Sequence, residues 1–194
     1  MVALDVVGCD VKYRIIVVYR PPYSDVHAQS TMTDILSCLE ELTAVSYPTI
    51  IAGDFNLHNI DWSHLSGPND MFCTSFIDFV NDAGLTQFVT APTRGDHVLD
   101  ILLSNDAYIL SDCWVESPLG FNIIRSKSSD HNTVHFNIHC GAPSSTADCD
   151  DLFIGIMLML ISLHLTIIYR QLIGSLCWLI AMMLMYIGTT LCAL

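Results

Sequence analysis

Pro48-Thr49-Ile50-Ile51-Ala52-Gly53-Asp54-Phe55-Asn56 is the stretch that decides the fold. Pro48 to Ala52 is a short β-branched run, the pattern of a strand buried inside a sheet, and Gly53 ends it. Asp54 and Asn56 follow on either side of Phe55. Strand alternation points both polar side chains to one side, with Phe55 packed behind, so both could address a single phosphate. A rigid strand that ends in polar residues is where an α/β enzyme keeps its chemistry, because the strand supplies aim and the loop supplies access.

Working outward, Val11 to Tyr19 alternates Val11, Tyr13, Ile15, Val17 and Tyr19 on one face, with Lys12 and Arg14 on the other. This predicts a strand entering the core, stopped by Pro21-Pro22. Asp25 to Thr43 reads as a helix, with Ile35, Leu36, Leu39 and Leu42 as its apolar stripe and Asp34, Glu40 and Glu41 facing outward. Phe72, Phe76, Phe79 and Val80 are spaced for a second helix, stopped at Gly84. Leu85–Val89, Val98–Leu103, Cys113–Glu116 and Thr133–Ile138 are short strands, and Thr93-Arg94-Gly95-Asp96 is a turn. Strand–helix alternation followed by closely spaced strands indicates an α/β domain with helices covering a sheet.

Composition is uneven along the 194 residues. The net charge is −13, the hydrophobic fraction 52% and the mean hydropathy +0.49. All twenty acidic residues and six of the seven basic ones precede Leu152, so the front of the chain is strongly acidic. Residues 1–139 are expected to form the α/β domain, 140–151 a Gly/Ala/Pro/Ser-rich acidic linker, and 152–194 an apolar tail in which Arg170 is the only charge. Leu152–Tyr169 and Leu172–Leu194 are each about one bilayer crossing long, which predicts one or two transmembrane helices. Met1-Val2-Ala3-Leu4-Asp5 lacks the basic start of a secretory signal, and Asp5 and Asp10 break any apolar core there. The expected location is a membrane if the tail inserts, and otherwise the nucleus or cytoplasm; secretion is not expected. Eight scattered cysteines with no C-x-x-C pair read as free thiols in a reducing compartment, and no Cys/His spacing suits zinc.

Four further residues carry candidate chemistry. Asp100 sits among Leu99, Ile101, Leu102 and Leu103, where a carboxylate is costly unless paired. His131 is a natural partner, because an Asp–His pair fixes the imidazole tautomer and raises its basicity, making it a general base for water. Asp130 could bind a hard cation, and Tyr19 could donate a hydrogen bond to a phosphate oxygen. Each piece has a plainer reading: an Asx turn at Gly53–Asn56, a strand cap at Ser129-Asp130-His131, an Asp100–Arg94 ion pair, and a packed aromatic at Tyr19.

The ordered set is more specific than its parts. Tyr19-Arg20-Pro21-Pro22, Gly53-Asp54-Phe55-Asn56, Asp61-Trp62, the run from Gly84 to Asp96, Leu99-Asp100-Ile101-Leu102-Leu103-Ser104-Asn105 and Ser129-Asp130-His131 together resemble the endonuclease/exonuclease/phosphatase superfamily. More narrowly, they resemble the apurinic-endonuclease-like domain of non-LTR (LINE- or jockey-type) retrotransposons, over residues 11 to 139. The resemblance implies a DNase I-like α/β sandwich that nicks DNA by magnesium-assisted attack of water on a phosphodiester. It implies His131 as base oriented by Asp100, Asp130 near Mg2+, Asp54 and Asn56 assisting the phosphate and leaving oxygen, and Tyr19 as a phosphate contact.

Three departures from the family pattern set further expectations. The family's first strands, with an asparagine and the metal-anchoring glutamate, have no counterpart before Tyr13, so the domain is expected to be truncated and slow; one lost electrostatic element is typically worth ~10²–10³-fold in rate. Phe121–Ser128 is extra sequence ahead of Ser129. The acidic charge opposes DNA affinity, which rests on Lys and Arg at phosphates. The competing readings are a non-catalytic, membrane-attached fragment and another phosphoesterase of the superfamily, one acting on lipid or inositol phosphates. Nothing in the sequence points to a protein partner.

Overall fold

A computed structural model of the chain describes residues 1–7, 12–22, 26–118 and 130–139. Its elements run β1 (Val2–Val7), β2 (Lys12–Tyr19), α1 (Val26–Thr43), β3 (Thr49–Asp54), α2 (Met71–Asp82), β4 (Thr86–Gln87), β5 (Asp100–Ser104), β6 (Leu110–Glu116) and β7 (Thr133–Ile138). The architecture is mixed α/β. The proposed linker at 140–151, the apolar tail at 152–194 and the extra segment Phe121–Ser128 lie outside the described residues. No helix among the described residues is long and apolar enough to cross a membrane.

Five strands form one sheet in the order β1-β2-β3-β5-β4, and β6-β7 form a second. β2 and β3 are parallel, joined through α1, while the other pairs are antiparallel. β1 was not anticipated from the sequence, where Asp5 argues against an apolar run. In the ladder Asp5 lies opposite Arg14, accepts from its Nε at 2.6 Å and from Tyr47 Oη at 2.8 Å, and so stays on the solvent side of an edge strand. The Arg14 and Tyr47 hydrogen bonds hold its carboxyl well below the usual range.

The helices lie on one face of the larger sheet. Ile16, Val18, Ile51, Ile101 and Leu103 meet Leu36 and Leu39 of α1 and Phe76 and Phe79 of α2 in one apolar cluster. Each such side chain, once fully buried, contributes roughly 1.5–3 kcal/mol. α2 starts where Asp70 accepts the Cys73 N–H at 2.9 Å and ends before Gly84, whose φ of +61° suits a residue without Cβ.

The opposite face is buried as well: Tyr13, Ile15, Ile50, Ala52 and Leu102 are inaccessible, as are Val134, Phe136 and Ile138 of β7. β2 therefore does not have one core face as its alternation suggests. Ile16 and Val18 are fully buried, while Val17 and Tyr19 are half-buried. A strand buried on both sides shows continuous apolarity, so the even positions Ile16 and Val18 carry core contacts as the odd ones do.

Candidate active site

β3 and β5 run antiparallel and place Asp54 directly opposite Asp100, while the parallel β2 places Tyr19 opposite Asp54. Parity puts all three on the face away from the helices, in one row across three strands. Close approach of β2 and β3 makes the row possible. A Cβ at Gly53 would stand 1.8 Å from the Val18 carbonyl oxygen, so only glycine fits there.

His131, two residues before β7, reaches this row from the second sheet. Its Nδ1 donates to Asp100 Oδ2 at 2.7 Å, and both side chains are almost wholly buried. With Asp100 as acceptor the Nδ1 carries the hydrogen, which leaves Nε2 as the basic nitrogen. Burial works against a charged imidazole, but the Asp100 hydrogen bond and charge, with smaller help from Asp54 and Asp130, hold the His131 pKa above its ordinary value. Asp54 is pushed up to about 6, first by burial and then by the charge of Asp100. Asp54, Asp100 and His131 offer ligand atoms that all lie within 4.8 Å of one another.

Two buried carboxylates facing each other form a site that a small divalent cation would relieve. Their oxygens suit magnesium, which takes one or two carboxylates and keeps several waters. The nearer imidazole nitrogen is already committed to Asp100. The donor set suits a hard divalent cation such as magnesium on Asp54 and Asp100.

Not every candidate joins this cluster. Asn56 does not continue the alternation, because β3 stops at Asp54 and Asn56 adopts φ +51°. Its N–H donates to Asp54 Oδ1 at 3.0 Å, an Asx turn, and its side-chain Nδ2 donates to the Arg20 carbonyl at 2.8 Å. Asp130 is exposed and pairs with Arg94 Nη2 at 2.6 Å. Arg94 thus pairs with Asp130 rather than with Asp100.

Two residues that brace the site carry no assignment from the sequence. Thr93 is fully buried, and its Oγ1 accepts from the Leu99 and Asp100 N–H groups, both at 3.0 Å, while its carbonyl accepts the Asn132 N–H at 2.6 Å. It fixes the backbone of both members of the Asp–His pair. Arg20 is 5% exposed, donates its backbone N–H to the Asp54 carbonyl at 2.8 Å and its Nη1 to the Phe55 carbonyl at 3.1 Å. Both lie inside stretches that the family resemblance rests on, which was the available signal.

A family model described as endonuclease-reverse transcriptase matches residues 13–135. The match covers well over half of the chain and takes in Tyr19, Asp54, Asn56, Asp100, Asp130 and His131. No curated protein matches the chain.

Proposed function

The chain belongs to the endonuclease-reverse transcriptase family, with an endonuclease/exonuclease/phosphatase-type domain of retrotransposon origin, and from that premise we propose that it hydrolyses DNA phosphodiester bonds at the Asp54–Asp100–His131 cluster. The observation that carries the reading is the buried 2.7 Å bond between His131 Nδ1 and Asp100 Oδ2. It holds the ring, fixes its tautomer and keeps Nε2 basic, the properties of a general base that takes a proton from water near neutral pH. Asp54 and Asp100 would hold magnesium, which when bound supplies positive charge to the phosphate under attack. Under this reading Tyr19, in the same row, would donate a hydrogen bond to a phosphate oxygen. The Asn56 turn keeps the Asp54 carboxylate oriented, so its part is positioning.

Nicking by this chain is slow under the same proposal. Asp130 is engaged by Arg94 rather than by the cluster, which leaves the cation two carboxylates. A strongly acidic chain also gains little from counterion release on DNA. The domain proposed is residues 1–139.

The test is nicking of supercoiled plasmid in magnesium by the wild type and by His131→Ala. The expected result is a weak activity that falls by ~10²–10⁴-fold in the variant, the usual contribution of a positioned base. Equal, background-level nicking by both proteins would sink the nuclease reading and leave a non-catalytic binding domain.

A further inference from the structure

Beside the carboxylate row lies a cleft of about 580 Å³, within the size range of ligand sites. Asn56 and Leu99 line it, each within two residues of Asp54 or Asp100 in the chain, and Arg20 in its wall stands close enough to feel the Asp54 charge. Arg20, Arg94, His58 and His97 line it too. In a chain with twenty acidic and seven basic residues, two arginines against one aspartate, Asp70, around one cleft make a local reversal of sign.

Arg20 is the least compensated of these. Its Nη1 meets two backbone carbonyls, its Nε has no hydrogen-bond partner, and its guanidinium stands 5.1 Å over the Phe72 ring. Asp54 and Asp70 act on it only through their charge, its direct partners are neutral carbonyls, and a buried cation with an unused donor favours an anion in contact with it. Asp70 also lines the cleft, but its Oδ1 is committed to capping α2. The N-terminal turn of α2 contributes Phe72 and Cys73 to the same wall, so the positive end of that helix faces the cleft. His97 Nδ1 donates to the His58 carbonyl at 3.1 Å, which leaves its Nε2 for another partner.

We propose that this cleft is a second oxyanion subsite, which holds a phosphate of the nucleic-acid strand next to the phosphate at the Asp54–Asp100–His131 cluster. The proposal rests on the nuclease reading for the identity of the strand. Arg94 is the movable part: it is 44% exposed and turns from Asp130 to the incoming phosphate, whereas Arg20 is fixed in the wall. Electrostatics thus set the register of the strand, because the molecule has few other cations with which to hold it.

The test is binding of a short DNA of fixed sequence to the full chain in EDTA, so that nothing is cut, with each phosphate replaced in turn by a neutral methylphosphonate. In the wild type, replacement at the cleft position weakens binding about tenfold, the scale of one charge-assisted hydrogen bond. In Arg94→Gln/His97→Gln that position loses its effect, while other positions keep theirs. His131→Ala retains the cleft effect. If no position depends on the double variant, the subsite is wrong. If the dependence is present but plasmid nicking matches background with and without His131, the subsite stands and the hydrolytic reading falls.

Discussion

Asp54 is held in a state that an isolated carboxylate would not choose. Its pKa of about 6 lies above the ordinary 3.8, so between those values the folded protein binds the proton more tightly than the unfolded chain. Stability from this residue is therefore full below about pH 4 and declines as pH rises through about 6. Asp54→Asn removes the ionisation and keeps an oxygen to accept the Asn56 N–H. Denaturation in EDTA should show the variant gaining on the wild type by about 2–3 kcal/mol between pH 4 and pH 7. A gap that is constant with pH would contradict the strain assigned to Asp54. The Asp–His pair was legible in the sequence because a carboxylate inside Leu-Asp-Ile-Leu-Leu demands a partner. The Arg94–Asp130 pair was not, since both residues flank turns and their choice of partner depends on tertiary placement. Asn56 misled because alternation holds only while the strand continues.

The β2–β3 pair is the element on which the site depends. With the Val18 carbonyl 1.8 Å from where a Cβ at Gly53 would sit, Gly53→Ala must force the strands apart. The cost should be about 3 kcal/mol or more, as for severe backbone clashes in a core, and the Tyr19–Asp54–Asp100 row should lose alignment with it. Urea denaturation followed by tryptophan fluorescence would check this; a loss under about 1 kcal/mol would show that the strands can separate freely. Helices and most strands were readable because their periods are plain: Leu36 and Leu39 on α1, Phe76, Phe79 and Val80 on α2, Val134, Phe136 and Ile138 on β7. β1 was hidden because its Asp5 is neutralised by Arg14, a partner that antiparallel pairing brings alongside. Thr93 was hidden for a related reason: a threonine in a turn gives no sign that its hydroxyl will receive two N–H groups from the strand ahead.

At the scale of the whole molecule, charge sets how DNA can be held. The chain carries −13 overall, and the cations near the site are chiefly Arg20 and Arg94. Each neutralised phosphate contributes about −0.9 to the slope of log affinity against log salt, so two should give a slope of about −2. Affinity measured from low to moderate salt checks this; a slope near −6 would mean a basic surface not among those residues. The same acidity was plain in the composition. Its local reversal at the cleft was not, because Arg20 and Arg94 are far apart in the sequence and only the fold brings them to one place. That dispersal is also true of the carboxylate row. Tyr19 lies opposite Asp54 across a separation of 35 residues, and His131 meets Asp100 across one of 31. Contacts of this span form late, after the loops between them have been closed at an entropic cost. The His131 imidazole is therefore a clock for folding: its signal should reach the native value only in the final kinetic phase, when the last strand docks.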